Sequence, residues 1–185
     1  MTKVFILTGP SGAGKSTVLD RLMKRKTLRL SRFTTTTTRP RRRGERNGRE
    51  YWFLDEKTFL AKKRRGDFFE SAKVYGRWYG SDTKEMRRLQ RLGRPIIMLL
   101  NVAGARTLQR LEPDSFVIFL DASRRELVHR LAERGKQVND LEKRIAKMTS
   151  EESFQKNADV VIQSGGKSTI AETVRRVANI IREQE

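Results

Sequence analysis

Apolar residues in this chain fall in short runs, separated by segments in which they recur every three or four positions. Val4-Phe5-Ile6-Leu7 is the first run and predicts a strand over 3–8; Val18, Leu19, Leu22 and Met23 follow at helical spacing and predict a helix from about Lys15 to Arg25. A basic, threonine-rich stretch from Leu28 to Asp55 comes next, with a short aromatic strand at Tyr51-Trp52-Phe53-Leu54. Asp55 to Lys63 reads as helix and Asp67 to Tyr79 as short strands and turns. Asp82-x-x-Glu85 has the form of a capping box opening a helix with Met86 and Leu89 inward, closed by Gly93 and Pro95. A buried-type strand from Pro95 to Leu100 leads to a short helix ending near Leu111, and Ser115 to Leu120 is another apolar strand. Ser123-x-x-Glu126 opens a helix carrying Leu127, Val128 and Leu131 and stopping at Gly135; Asn139-x-x-Glu142 opens a second with Leu141, Ile145 and Met148. Asp159 to Ile162 is the last strand, and Thr169-x-x-Glu172 starts a final amphipathic helix with Val174, Val177 and Ile181 on one face.

Apolar strands separated by helices imply an α/β fold, a parallel sheet covered on both faces. Ligands in such folds collect beyond the C-terminal ends of the strands. The first of those ends carries the strongest motif in the chain. Gly9-Pro10-Ser11-Gly12-Ala13-Gly14-Lys15-Ser16 is a complete G-x-x-x-x-G-K-[ST] loop between a predicted strand and a predicted helix. Its glycines allow the backbone to wrap a phosphate with N–H groups pointing inward, and the helix N-terminus adds partial positive charge. Gly9, Ser11, Gly12, Ala13, Gly14, Lys15, Ser16 and Thr17 are the candidate ATP-binding residues. Lys15 would reach the β- and γ-phosphates and the Ser16 hydroxyl would ligate Mg²⁺. A second Gly-Lys-Ser string at Gly166-Lys167-Ser168 lacks the leading glycine, position 161 being valine, and is expected to cap the last helix.

Composition narrows the class. The chain has 185 residues, enough for one domain with a sizeable core. No run approaches the ~18 apolar residues of a membrane span, and the first strand starts too early to leave room for a signal peptide. With no cysteine and a single histidine, His129, neither disulfides nor a zinc cluster is expected, and a cytoplasmic location is. The formal charge of +19 is large for this size. Such a field draws polyanions, either nucleotides into a cleft or nucleic acid onto a surface; charge without location does not choose between them.

The second informative region runs Thr37-Thr38-Arg39-Pro40-Arg41-Arg42-Arg43-Gly44-Glu45-Arg46-Asn47-Gly48-Arg49-Glu50-Tyr51-Trp52-Phe53, then Phe68-Phe69-Glu70-x-Ala72, then Trp78-Tyr79-Gly80-Ser81. These spacings resemble the acceptor signature of the guanylate kinase family, T-T-R-x-P-R-x-G-E-x-x-G-x-x-Y-x-F, F-x-E-x-A and Y-Y-G-[ST]. The likeness extends over nearly the whole chain. It implies a P-loop NTPase three-layer sandwich with a GMP-binding insertion and a helical lid: core about 1–32, 83–122 and 158–185, GMP-binding region about 33–82, lid about 123–157. It further implies phosphorylation of GMP by ATP with Mg²⁺. By the resemblance, Arg39 and Arg42 grip the GMP phosphate with Tyr51 and Tyr79, Glu70 accepts from guanine N1–H and N2–H₂, and Thr35 and Ser81 bond the rest of the base edge. Arg130, Arg134 and Arg144 match the lid arginines that would neutralise the moving phosphoryl group alongside Lys15. Arg41 stands at the family's proline and Trp78 at its first tyrosine, where packing is expected.

Two departures stand out. The family's D-x-D at the end of the 95–101 strand is here Leu99 and Asn101, so the acidic group that orients magnesium water and supports the acceptor base is replaced by an amide. Ser16 with phosphates and water could hold the ion, Asp121 could substitute, or activity could be weak or the acceptor altered. Gln163 stands where relatives place an asparagine against the ATP base. Other readings share parts of the pattern: a kinase of another acceptor such as ribose bisphosphate, a non-catalytic guanylate-kinase-like interaction module, and, on charge alone, a nucleic-acid binder.

Overall fold

The computed structural model describes residues 2–132, 153–166 and 168–184. Strand β1 (Val4–Thr8) is buried along its whole length and is the third strand of a five-stranded sheet. The others are β2 (Ser31–Phe33), β7 (Ile96–Leu99), β8 (Phe116–Asp121) and β9 (Val160–Gln163), in the order β2-β7-β1-β8-β9 and parallel throughout. Side chains of β1 alternate between two apolar layers, as strand geometry requires. Phe5 and Leu7 pack with Val18, Leu19 and Leu22 of α1 (Lys15–Met23) and with Val174, Val177 and Ile181 of α6 (Ile170–Glu183). Val4 and Ile6 pack on the other face with Met86 and Leu89 of α3 (Thr83–Gln90) and Ala105 and Leu108 of α4 (Val102–Leu111). Burying side chains of this size stabilises by about 1.5–3 kcal/mol each, so the sheet that carries the loop at Gly9 is also the most firmly held part of the molecule.

A second sheet, order β4-β3-β6-β5, stands beside the first. It consists of β3 (Thr36–Thr37), β4 (Trp52–Phe53), β5 (Phe68–Val74) and β6 (Arg77–Asp82), with α2 (Glu56–Arg64) packed on it through Phe59, which stacks on Phe68 and Trp78. The short strands and turns expected over 67–79 are instead one long hairpin reaching Asp82. Tyr75 and Gly76 at its tip both have positive φ, 50° and 72°, the backbone of a tight two-residue hairpin turn. The threonine-rich stretch is more regular than its composition suggests. Thr37 Oγ1 donates to the Trp78 carbonyl and the Thr38 hydroxyl accepts from the Trp78 N–H, so hydroxyls knit β3 to β6.

The helix starts explain themselves locally, with two corrections. Asp55 caps α2, Ser123 and Glu126 cap α5 (Arg124–Ala132) reciprocally, and Thr169 with Glu172 forms a full capping box on α6. Asp82 caps α3 through the Lys84 N–H, but Glu85 does not reach back; it pairs with Arg88 through two 2.9 Å bonds. The last helix is capped by Thr169 and not by the Gly166–Ser168 string, where the Gly166 N–H donates to Glu126. The helix expected at Asn139-x-x-Glu142, and Arg134 and Arg144, lie outside the described residues. No helix among the described residues is long and apolar enough to cross a membrane.

Candidate functional site

The glycine loop leaves the core at the C-terminal end of β1 and turns into α1. Gly9 has φ 135°, and a Cβ there would fall 2.0 Å from the Leu120 carbonyl oxygen, so no other residue fits. Gly14 caps α1 with φ 81°, which aims the first helical N–H groups outward at the loop's mouth. Lys15 Nζ folds over the loop and donates to the Gly9 and Pro10 carbonyls at 2.7 and 2.8 Å. Ser164, beyond β9, ties the loop to the sheet: its hydroxyl lies 2.8 Å from the carbonyls of both Ala13 and Asp121.

Facing the loop across a cavity of about 190 Å³ are side chains from the second sheet. Gly9, Ser11, Gly12, Gly14, Lys15 and Ser16 line one wall; Thr35, Arg39, Arg42, Tyr51, Glu70 and Tyr79 line the other; Leu99 and Asn101 close the end. Ser81 is fully buried behind Glu70 and donates to its Oε1 at 2.6 Å. Their strands are directly paired at this point, and an irregularity in β5 between Phe68 and Glu70 re-aims the chain just there. Gly104 leaves room for the carboxylate, a Cβ there falling 3.3 Å from Glu70 Oε2. Only 5% exposed, Glu70 is pushed above the ordinary carboxylate range by burial, partly offset by the Ser81 hydrogen bond.

Arg39 is held from three sides. Its Nη2 pairs with Glu45 at 2.7 Å, its Nη1 donates to the Pro40 carbonyl at 2.7 Å, and its guanidinium sits 5.3 Å from the centre of the Tyr51 ring. Burial works against the Arg39 charge, yet Glu45 outweighs it and raises the guanidinium further. Burial likewise works to raise Glu45, but Arg39 and the Arg42 N–H hold it below its usual value. Tyr51 meets Tyr79 edge-on with ring centres 6.0 Å apart. Burial, reinforced by Tyr79 and opposed by Arg39 and Arg42, pushes the Tyr51 phenol up to about 12, so it remains a hydrogen donor at neutral pH.

Several candidates sit differently from the simple expectation. Asn101 lines the cavity, but its Oδ1 accepts the Gly104 N–H at 2.9 Å and caps α4. Arg130 lies behind the loop, its Nη1 3.3 Å from the Gly12 carbonyl and its Nη2 3.0 Å from that of Ser164. There it lines a second cavity of about 370 Å³ with Thr17, Ser164, Ser168 and Ile170. Ala13 is fully buried and faces neither cavity. Asp121 accepts from the Gln163 side chain at 3.1 Å and is not among the residues lining the main cavity. His129 is exposed on α5. Glu45 and Ser164 are the residues the sequence undervalued: the first matched the glutamate of the signature but was given no role, and the second carried no local signal.

The glycine loop and a wall combining a buried carboxylate with arginine and two tyrosines thus meet in one cleft. The Guanylate kinase family model matches residues 1–184. The chain belongs to the guanylate kinase family. It is 34% identical over 184 residues to the guanylate kinase of Nitrosomonas europaea, covering 98% of this chain and 90% of that one. To that of Aromatoleum aromaticum it is 37% identical over 139 residues, covering 75% and 68%. The crystal structure of guanylate kinase from Anaplasma phagocytophilum superposes with a TM-score of 0.81 at 25% identity, covering 99% of this chain and 86% of that chain. A nucleotide-binding P-loop kinase of the guanylate kinase family thus has its central parallel sheet and its glycine loop in the expected places.

Proposed function

We propose that this chain transfers the γ-phosphoryl group of ATP to GMP, giving ADP and GDP. The observation that carries the proposal is the single cleft in which the Gly9–Ser16 loop opposes the Glu70–Ser81 pair and the Arg39–Tyr51–Tyr79 cluster. Guanine presents two donors on the edge that an ionised Glu70 would accept, and adenine presents none, so a buried carboxylate selects strongly. The preset Arg39 fork, with Arg42 and the two phenols, suits a monophosphate. A GMP phosphate oxygen would then attack the γ-phosphorus in line as the bond to the ADP oxygen breaks. Lys15, Arg130, Arg134 and Arg144 would spread the negative charge of that transfer, and the second cavity beside Thr17 and Arg130 would take the rest of ATP. In this reading 33–82 binds GMP, 123–157 is the lid, and 1–32, 83–122 and 158–185 are the core.

The protein's part in holding Mg²⁺ is small but chemically adequate. Ser16 is exposed in the first turn of α1 and lines the cleft, while the described residues hold no cluster of acidic or histidine side chains that could cage a metal. Mg²⁺ retains waters readily and takes phosphate oxygens, so one hydroxyl is a sufficient protein ligand. When bound, the ion would neutralise the β- and γ-phosphates.

A coupled ADP-release assay across GMP, dGMP, AMP, UMP, CMP and ribose bisphosphate, with and without Mg²⁺, tests the proposal. Saturable, Mg²⁺-dependent turnover with GMP and dGMP is expected. Turnover with ribose bisphosphate and none with GMP overturns it, and GMP binding without turnover points to an interaction module.

A further inference from the structure

We propose that the face formed by α3 and the 48–52 segment binds single-stranded nucleic acid, a function separate from the nucleotide cleft. Lys84, Arg87, Arg88 and Arg91 fall at i, i+3, i+4 and i+7, and all four are exposed on one side of α3, opposite the buried Met86 and Leu89. A helix face that only needs water usually interleaves acids with its bases. Here Glu85 alone does so, and it is occupied by Arg88. Arg87 and Arg91 have no acidic partner among the described residues. At 1.5 Å per residue the stripe is about 10 Å long, enough to meet more than one phosphate of an extended strand.

A second observation indicates what kind of polyanion fits. Beside Arg88 the surface folds into a groove of about 430 Å³ lined by Arg32, Thr34, Gly48, Arg49, Trp52 and the Arg88-paired Glu85. It lies along the edge of the main sheet, where β2 is the outermost strand and α3 packs against it. Trp52 is 43% exposed, whereas Trp78 of the same sheet is stacked on Phe59 and hydrogen-bonded to Glu56. One side of the Trp52 ring packs against Gly48, where a Cβ would lie 2.8 Å from the indole. An exposed indole beside the Lys84, Arg87 and Arg91 stripe is an arrangement on which an unpaired base stacks while its phosphates meet cations; the nearer Arg32, Arg49 and Arg88 are already paired with Asp20, Glu50 and Glu85. Duplex bases are already stacked on each other and cannot use such a platform, so the single strand is the favoured occupant. Arg32 is the only described residue shared by this groove and the nucleotide cleft.

The test is fluorescence anisotropy of a labelled 20-mer of dT with the full chain at salt from about 50 to 200 mM. Micromolar binding is expected, with log K falling against log salt at a slope of about −2, one phosphate contact at ~0.7 for each of Lys84, Arg87 and Arg91. Tryptophan emission should be quenched on binding. The double variant R87E/R91E should keep the wild-type melting temperature and bind at least tenfold more weakly, with a slope shallower by about 1.4. Trp52→Ala should lose the quench and Trp52→Phe should retain most of the affinity. Wild-type affinity in R87E/R91E overturns the proposal, and so does equal binding of duplex or heparin without tryptophan quenching, which would mean a delocalised positive field. None of these readouts depends on whether GMP is the kinase acceptor.

Discussion

The two walls of the cleft are built by opposite means. The wall proposed to take the phosphoryl donor is mostly backbone: a glycine loop on the fully buried strand β1, at the start of α1, with Ser11, Lys15 and Ser16 contributing the polar side chains. The wall proposed to take the acceptor is side chain: three carboxylates (Glu45, Glu50, Glu70), Arg39, Arg42 and two tyrosines on and beside a smaller sheet whose strands β3 and β4 are two residues long. A backbone site recognises what all nucleoside triphosphates share and depends on the fold around it. A side-chain site recognises one acceptor and can be altered residue by residue. Donor-side substitutions should therefore act on turnover, and acceptor-side ones on GMP affinity and selectivity.

The largest effect should come from Lys15→Ala. Removing one preorganised cation from a phosphoryl-transfer site costs on the order of 10³ in kcat. The helix start and the loop backbone remain, so GMP affinity by calorimetry should be nearly unchanged. A Lys15→Ala protein that loses GMP binding as much as turnover would break the division between the walls.

Glu70→Gln comes next and tests the acceptor wall from both sides. Hydrogen bonds to a charged group contribute about 1.5–3 kcal/mol, so kcat/KM for GMP should fall roughly 10- to 150-fold. Stability should move the other way. The folded-state pKa of Glu70 is raised, so between the ordinary carboxylate value and that raised value the folded chain binds more protons than the unfolded one, and stability falls as pH rises through the window. At neutral pH the buried charge is a cost that glutamine removes while still accepting from Ser81. Each kcal/mol regained should raise Tm by roughly 2–4 °C at neutral pH, and the gain should vanish when wild-type Glu70 is protonated in acid. A variant that loses both GMP and stability would show that the carboxylate is a structural ion and not a recognition group.

Glu45→Gln should be milder. The Arg39–Glu45 pair is half-buried and its members support each other, so neutralising one should raise KM for GMP about 3- to 10-fold and leave kcat alone. The sign with pH is opposite to that of Glu70. The folded-state pKa of Glu45 is lowered, so its contribution is present above the ordinary carboxylate value and is lost as pH falls through the lowered one. Acid titration of Tm should therefore show Glu45→Gln below wild type and Glu70→Gln above it at neutral pH, with both differences closing at low pH.

How much of this was legible follows the same division. The donor loop is eight consecutive residues between a strand and a helix, so sequence spacing alone locates it. The acceptor residues are scattered from Thr35 to Ser81, and only their spacing taken together suggested a site; that Ser81 backs Glu70 depends on pairing between β5 and β6, which no local pattern states. Ser164 reaches Ala13 across 151 positions of chain, and Arg130 reaches Gly12 across 118. Such contacts exist only once the sheet order is known. The threonine run hid β2 and β3 because a two- or three-residue strand carries too few positions to show a period.

Asn101 stands where the two walls meet, and the smallest predicted effect is the one that separates its two possible duties. As the N-cap of α4 its side chain should contribute about 1 kcal/mol, so Asn101→Ala should lower Tm by roughly 2–4 °C. Asn and Asp cap equally well, so Asn101→Asp should restore Tm while placing a carboxylate at the end of the cleft. If capping is the dominant duty, Asn101→Ala should change KM for GMP less than about threefold. Asn101→Asp should then lower the Mg²⁺ concentration needed for half-maximal turnover, because a carboxylate orients magnesium-bound water better than an amide does. A large rise in GMP KM in Asn101→Ala, with Tm unchanged, would instead assign this residue to the acceptor wall.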